Sequence, residues 1–199
     1  TSMLFFCVLS TIQNENQARQ TRTEEDALLV RVGQGDREAL ETLYRLTSRA
    51  VYGCLLSIVK NPHDAEELMQ DTYLQLVSSA GSYRSQGKPR GFILAVARNL
   101  GLMRLREERR FPAAGEEETE TLPVAGNEAG RAEDRLVLEC AMRVLGDEER
   151  QVVMLHAVAG LKHRETAALM GLPLSTVLSR YHRALSKLQK AIMEGETAR

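Results

Sequence analysis

A short helical segment, a glycine and a longer amphipathic helix follow one another near the C-terminus, and together they narrow the possible folds. The short segment reads RETAALM, residues 164–170, and Gly171 suits the left-handed position that ends a helix. From residue 174 onwards, apolar residues recur at helical spacing. A short helix, a glycine-containing turn and a longer helix make up a helix-turn-helix, so the sequence predicts this motif here.

The longer helix has two distinct faces. One is apolar: Val177, Tyr181, Ala184, Leu185, Leu188 and Ile192. The neighbouring face is basic, flanked by Ser179 and His182: Thr176, Arg180, Arg183, Lys187 and Lys190. In a helix-turn-helix the second helix enters the DNA major groove, where polar residues near its start reach bases and basic residues meet phosphates. Taken by itself, such a helix also fits an ordinary amphipathic helix with a solvated basic side.

Composition and charge favour a helical protein with a segmented charge distribution. The 199 residues suffice for one domain or two small ones, and they contain 43% hydrophobic residues and five prolines, without β-type alternation. The net charge of −1 argues against a protein that coats DNA indiscriminately. Residues 26–111 and 135–199 each carry a net +3, whereas residues 112–134 carry −6. Two mildly basic blocks are therefore joined by an acidic segment.

The helical pattern divides the chain into two parts. Helices are predicted over about 23–33, 37–58, 63–79 and 92–110, with a polar loop at 80–91. Residues 113–134 lack periodicity and have the composition of a flexible linker, and helices resume at 136–145 and 148–158. Expected buried residues of the first part include Leu40, Leu43, Tyr44, Val51, Leu55, Ile58, Ala65, Met69, Thr72, Tyr73 and Leu76.

Cysteine, histidine and the N-terminus indicate no special chemistry. Cys54 and Cys140 lie in apolar helical patterns, so we expect buried thiols, no disulfide and a reducing compartment. The four histidines show no metal-ligand spacing, and His156 is expected to be a packing residue. No metal site or cofactor is predicted. Thr1-Ser2 is interpreted as a vector-derived scar, and the apolar run 3–9 is too short to span a membrane.

Three stretches resemble the sigma-70 family of RNA polymerase sigma factors, in its extracytoplasmic-function (ECF) group. DAEELMQDTYLQL, residues 64–76, is similar to region 2.2, and PRGFILAVARNLGLMRLREERR, residues 89–110, is similar to regions 2.3 and 2.4. Residues 149–188, ERQVVMLHAVAGLKHRETAALMGLPLSTVLSRYHRALSKL, are similar to region 4. The three occur in the family's order, with the acidic segment between the second and the third.

The resemblance implies an all-α fold with two small helical domains joined by a flexible acidic linker. Region 2, a helical bundle, would span residues 26–111, the linker 112–134, and region 4, a helix-turn-helix, 135–195. Residues 1–25 would hold a leader, the scar and the start of the first helix. The implied function is that of a sigma factor, which binds core RNA polymerase and directs promoter-specific initiation through −10 and −35 elements in the cytoplasm.

The resemblance also implies roles for individual residues. The residues matched to the face that docks on the β′ clamp coiled coil are Asp64, Glu67, Gln70 and Asp71. Asn99 matches the position that contacts a flipped −10 base, an event whose unstacking cost must be offset by hydrogen bonds, and the loop 80–91 would help form its pocket. Arginines matched to phosphate binding are Arg98, Arg104, Arg106, Arg109 and Arg110.

For the −35 element, the residues placed on the recognition helix are Ser175, Thr176, Ser179, Arg180 and Arg183, with Lys187 at phosphate. Whether Arg180 or Arg183 pairs with guanine edges or with phosphates stays open. Implied partners are the polymerase β′ clamp coiled coil and β flap, promoter DNA and an anti-sigma factor, without membrane insertion.

Other functional classes remain as alternatives. A dimeric helix-turn-helix regulator would need a dimerising helix, but it would not need the acidic face between Asp64 and Asp71. A protein-binding helical adaptor would leave the basic helices as solvated surface. An enzyme is the weakest alternative, because neither a nucleophile–base pair nor a phosphate-binding loop is visible, and the adjacent Glu66 and Glu67 point in different directions on a helix.

Overall fold

The computed structural model describes residues 20–85, 87–110 and 144–197, with side chains up to residue 191. Its helices are α1 (20–33), α2 (Arg37–Val59), α3 (Pro62–Ser79), α4 (Pro89–Arg110), α5 (Asp147–Val153), α6 (His163–Met170) and α7 (Leu174–Thr197). A 3-10 turn, Ala80–Ser82, follows α3, and a π-helical turn, Met154–Val158, continues α5. The described residues contain no strand, which confirms the all-α prediction. The predicted linker, Cys140 and most of the predicted helix 136–145 lie outside them.

Capping side chains set the ends of the first helices. The carboxylate of Asp36 accepts a hydrogen bond from the backbone N–H of Ala39 at 3.1 Å and so caps α2. Lys60 ends α2 in the left-handed region, with φ of 63°. Asn61 then caps α3 by accepting from the backbone N–H of His63 at 2.8 Å.

Several helices begin earlier than predicted, and two of them do so at a proline. Helix α3 begins at Pro62, one residue before the predicted start, and α4 begins at Pro89 rather than at Phe92. A proline has no N–H to lose in the first helical turn, and its fixed φ already suits a helix. The loop prediction for 80–91 was therefore wrong at its end, where Pro89 belongs to α4.

Helices α1 to α4 enclose the larger hydrophobic core. Its fully buried side chains include Leu29, Leu43, Leu55, Leu56, Leu76, Ile93 and Leu94. Helix α4 packs closely on α2 at Gly101, where a Cβ would lie only 3.3 Å from Cγ2 of Ile58. The hydroxyls of Thr47 and Tyr73 lie 2.8 Å apart and satisfy each other inside this core. Burial also raises the pKa of the Cys54 thiol to about 12.

Helices α5 to α7 form the predicted helix-turn-helix. Gly171 ends α6 with φ of 67°, and its backbone N–H donates to the carbonyl of Ala168. Val152, Ala167 and Val177 pack together on one side of α7. Leu145, Val153, Ala184 and Leu188 pack further along the same face of α7. The motif predicted from the glycine and the apolar spacing is confirmed.

The two halves of the chain also pack against each other, which the sequence did not predict. The π-helical turn buries Met154 and Leu155 in the same core cluster as α2 and α4. Gly53 of α2 makes room for this contact, since a Cβ there would lie 2.7 Å from the Cε atom of Met154. Lys60 and Asp147 form an ion pair across the halves at 2.8 Å.

One residue that was expected to be buried is exposed, and so is one residue of the predicted apolar face. Tyr44 is 40% exposed, and its ring rests edge-on against Tyr73 with the ring centroids 4.8 Å apart. Leu185 is 41% exposed, because the packed face of α7 is centred on Ala184 and Leu188. Over the described ranges, every helix is too short or too polar to cross a bilayer.

Candidate polymerase and DNA interfaces

Helix α4 carries one predicted base contact and several predicted phosphate contacts. Asn99 is exposed, as are Arg106, Arg109 and Arg110 near the C-terminal end of the helix. Arg98 is only partly exposed, and its Nε atom is buried without a hydrogen-bond partner among the described residues. These arginines therefore differ in how accessible they are to a nucleic acid.

Arg104 joins the two predicted sites of the first half. Its guanidinium contacts Asp64 at 2.7 Å and Glu67 at 2.8 Å, although the arginine is predicted to bind DNA and the carboxylates to bind the polymerase. The hydrogen bond and the charge of Arg104 hold the pKa of Glu67 below its usual value. Three of the predicted site residues thus bind one another.

The remainder of the predicted polymerase face is exposed and partly apolar. Gln70 and Asp71 are exposed on α3, one turn before Leu74, which is 71% exposed. Val77, one further turn along, is 45% exposed. The prediction from sequence missed these two apolar residues. The signal was available, because both fall outside the helical spacing of the buried residues Thr72 and Leu76.

On α7, the structure separates the predicted DNA-binding residues into an outward and an inward set. Ser175 and Ser179 are exposed, and Arg183 is 64% exposed at its side chain. Arg180 is only 19% exposed, lies 2.6 Å from Glu148 of α5, and has a buried Nη1 atom without a hydrogen-bond partner among the described residues. Thr176 is partly buried.

The acidic first turn of α5 lies against the basic stripe of α7. Lys187 contacts the nearly buried Glu149 at 2.6 Å, and Arg183 lies 3.9 Å from the same carboxylate. Glu149 also accepts from the backbone N–H of Gly146 and so caps its own helix. The hydrogen bond from Lys187, the Gly146 N–H and the nearby charges lower the pKa of Glu149. Part of the basic stripe therefore fastens α7 to α5.

The exposed face of α7 includes two residues that were not in the predicted site. Ser175, Ser179, His182 and Ser186 recur at three- and four-residue spacing and are all exposed. His182 and Ser186 were missed because the predicted face was centred on the charged residues. The helical period itself contained the signal, since these positions lie opposite the buried Ala184 and Leu188.

Behind this face lies an aromatic cluster. The imidazoles of His156 and His163 stack with their centroids 3.9 Å apart, and the ring of Tyr181 meets each edge-on at 4.8 Å. Burial is the main cause that lowers the pKa of His163, followed by the charges of His156 and His182. His156 is thus a packing residue, as predicted, with a second histidine as its neighbour.

Comparison with known proteins agrees with this arrangement. The family model for sigma-70 region 2 matches residues 43–111, and that for sigma-70 region 4 matches residues 135–188. The ECF RNA polymerase sigma factor SigK of Mycobacterium sp. (strain KMS) is 30% identical over 178 residues, which cover 85% of this chain and 91% of that protein. The RNA polymerase sigma factor CarQ of Myxococcus xanthus is 30% identical over 163 residues, covering 81% and 94%.

Solved structures show the same fold. The sigma factor RpoE in complex with the anti-sigma factor NepR from Bartonella quintana has a TM-score of 0.65 at 19% identity, covering 77% of this chain and 96% of that one. CnrH in complex with the cytosolic domain of CnrY has a TM-score of 0.59 at 22% identity, covering 86% and 98%.

The chain belongs to the sigma-70 family of RNA polymerase sigma factors, and within it to the ECF group. It is a sigma factor, which binds core RNA polymerase and directs transcription initiation at promoters with −10 and −35 elements. The family is not one of catalytic enzymes.

Proposed function

We propose that the two halves divide promoter recognition between them. The region 2 half, residues 26–111, binds polymerase and the −10 element, the acidic segment 112–134 links the halves, and the region 4 half, residues 135–195, reads the −35 duplex. The observation that carries this proposal is the outward polar face of α7, with Ser175, Ser179 and His182 exposed beside Arg183. A helix with such a face fits the major groove.

Within region 4, we propose different tasks for the exposed and the paired residues. Ser175, Ser179 and His182 face outward and donate to or accept from base edges, and Arg183 meets a guanine or a phosphate. Arg180 and Lys187 hold α7 against α5 through Glu148 and Glu149. Thr176 is partly buried and is assigned no base contact, and Ser186 extends the outward face.

Within region 2, the exposed and the paired residues again separate. Asn99 is exposed, and its amide can both donate to and accept from an extruded base. Arg106, Arg109 and Arg110 are exposed and suit phosphates. Arg98 and Arg104 are partly buried, and we assign Arg104 to holding α4 against α3 through Asp64 and Glu67.

The polymerase-binding face is proposed to be the exposed strip of α3. Gln70 and Asp71 supply polar contacts, and Leu74 and Val77 supply the apolar centre that protein interfaces commonly have. Asp64 and Glu67 border the strip and keep Arg104 beside it. Such a strip suits arginines on the β′ clamp coiled coil, and we propose that the region 4 half contacts the β flap.

Reading both elements requires the two halves to separate. The −10 and −35 elements lie about 25 base pairs apart, on the order of 85 Å along a duplex. Asn99 lies about 14 Å along α4 from Arg90, whose Nη1 donates to the carbonyl of Ala159 at 3.1 Å. His156 and Tyr181 then connect Ala159 to α7. This path consists of part of one helix and a few side-chain contacts, so it is much shorter than the distance between the two elements.

The remaining assignments follow from the family. We propose an anti-sigma factor as a further partner. The similar RpoE structure is a complex with the anti-sigma factor NepR, and the similar CnrH structure is a complex with the cytosolic domain of CnrY. We assign the protein to the cytoplasm, where core polymerase and promoter DNA are found, and we assign it no catalytic activity of its own.

In vitro transcription with bacterial core polymerase tests the proposal. The template is DNA from upstream of the gene, since such factors often control themselves. Addition of the protein should produce transcripts from one start site. Asn99→Ala should abolish them, whereas the control Glu24→Gln, at an exposed position on α1, should not. Protein that does not bind core polymerase would refute the sigma assignment, and initiation that survives Asn99→Ala would refute the role of Asn99.

A further inference from the structure

Helix α1 lies before residue 43, where the match to sigma-70 region 2 begins, and the functions above assign no role to any individual residue of it. It nevertheless holds the segment between α3 and α4 at both ends. The carboxylate of Asp26 accepts hydrogen bonds from the hydroxyls of Tyr83 and Ser85, each to a different oxygen. The neighbouring Glu25, which is fully buried, accepts three hydrogen bonds from Arg90 in the first turn of α4.

The segment held in this way has little structure of its own. Between the 3-10 turn and Pro89 the described residues form no helix, and Gly87 adopts a φ of 66°. Arg84, Ser85 and Lys88 are exposed. A segment of this kind has many conformations open to it unless side chains anchor it. Asp26 supplies two such anchors near the start of the segment, at Tyr83 and Ser85.

The anchored segment contacts α4 at Phe92, on the side of the helix that carries Asn99. The ring of Tyr83 packs on that of Phe92, with centroids 5.0 Å apart. Phe92 and Asn99 are seven residues apart, about two helical turns, so both project from the same side of α4 about 10 Å apart. Tyr83 and its neighbours are therefore placed beside the position where the proposed function puts an extruded −10 base.

We propose that Asp26 is a positioning residue for −10 recognition. By binding Tyr83 and Ser85, it keeps the segment at 83–85 in a single arrangement beside the Asn99 side of α4, and so fixes one wall of the space that receives the base. Asp26 acts through these hydroxyls and does not itself touch DNA. The inference rests on the proposed role of Asn99.

The test measures base preference, which a purely structural role would not change at one position only. Full-length protein is assembled with core polymerase and presented with the promoter from the transcription assay, randomised through its −10 element. Sequencing the bound DNA gives the preference at every position. Asp26→Ala should lower the preference about tenfold at one position, the one that Asn99→Ala also affects, and leave the other positions and the −35 element unchanged.

Matched variants separate positioning from stability. Tyr83→Phe with Ser85→Ala removes the two donors and keeps the Tyr83 ring on Phe92, so this double variant should reproduce the loss. Adding Asp26→Ala to it should cause no further loss, because the three residues act as one unit. Asp26→Asn keeps one accepting oxygen and should be intermediate, and Glu24→Gln on the same helix should behave as wild type.

The outcomes distinguish this inference from the function on which it rests. If Asn99→Ala alters one position and neither Asp26→Ala nor the double variant alters it, the inference is wrong and the function stands. If Asn99→Ala alters no position, the proposed function of Asn99 fails and the inference fails with it. A uniform loss over all positions would assign Asp26 to stability alone. Should Asp26→Ala not fold, the Tyr83→Phe and Ser85→Ala variant decides the question.

Discussion

Arg90 binds the fully buried carboxylate of Glu25 at 2.6 Å, and the same guanidinium reaches the carbonyl of Ala159 in the other half of the protein. The ion pair therefore ties α1 to α4, and Arg90 also touches the half of the protein that matches region 4. A buried carboxylate tolerates the loss of its partner poorly, since its charge has been removed from water.

Arg90→Ala should accordingly destabilise the protein by about 3 kcal/mol, because it leaves the charge of Glu25 buried and unpaired. Chemical denaturation measures this change. Lys88→Ala, at an exposed position just before α4, is the control and should stay within about 0.5 kcal/mol of wild type. The double variant Glu25→Leu with Arg90→Met should lose less unfolding free energy than Arg90→Ala, because it leaves no charge buried. An equal or larger loss would contradict the explanation by an unpaired charge.

The contact between the halves depends on the absence of a side chain at position 53. Gly53→Leu should force Met154 out of its place and separate the halves, which small-angle scattering would record as a larger radius of gyration. Gly53→Ala is the control. Its methyl group displaces only the flexible end of Met154 and makes an ordinary contact with Cγ1 of Val158 at 3.4 Å, and the better helix propensity of alanine, about 1 kcal/mol, offsets the displacement. An unchanged radius in Gly53→Leu would mean that this contact does not hold the halves together.

The two neighbouring arginines on α7 should differ in their effect on DNA binding. Arg183 is exposed, so Arg183→Ala should weaken binding to a −35 duplex and reduce the slope of log K against log salt by about 0.9 for each lost phosphate contact. Arg180 is held by Glu148, so Arg180→Ala should leave that slope unchanged. Fluorescence anisotropy over a range of salt concentrations measures both. If Arg180→Ala reduced the slope and Arg183→Ala did not, Arg180 and not Arg183 would contact the DNA.

Acid should weaken the attachment of α7 to α5. The pKa of Glu149 is lowered in the folded protein, chiefly by the hydrogen bond from Lys187. The unfolded chain therefore takes up a proton first, and this contribution to stability is present above the ordinary glutamate pKa of 4.5 and lost as the pH falls through the lowered value. When the Glu149→Gln variant is denatured at a series of pH values below 4.5, its free energy of unfolding should fall less than that of wild type. The same pH dependence in both proteins would assign the loss to other carboxylates.

His163 predicts a second pH effect in a separate window. Its pKa is lowered, mainly by burial, so protonation favours the unfolded chain. Stability should be unaffected above the ordinary histidine pKa of 6.5 and should decline as the pH falls below it toward the lowered value. His163→Phe keeps an aromatic ring against His156 and removes the titrating group. The denaturation midpoint of this variant should therefore depend less on pH between about pH 7 and about pH 5. A curve that keeps its slope would point to another histidine.

Much of the site was predictable because it depends on local pattern. The helical spacing identified the apolar face of α7 at Val177, Ala184 and Leu188, and Gly171 marked the turn of the helix-turn-helix. The exposed position of Asn99 also follows from the spacing of the buried Ile93, Leu94 and Ala97 around it. Such information resides in residues three and four apart, which share a helix face whatever the rest of the chain does.

The sequence by itself determined the helices, their order, the helix-turn-helix and the family. Only the tertiary structure decided which charged residues are available to a partner: Arg104 turns to Asp64, Arg180 turns to Glu148, and Asp26 reaches Tyr83. The packing of the halves through Met154 and Gly53 was likewise invisible in the sequence. These contacts join residues that are far apart along the chain, so they depend on how the helices cross and on which rotamers fit between them, and helical periodicity specifies neither.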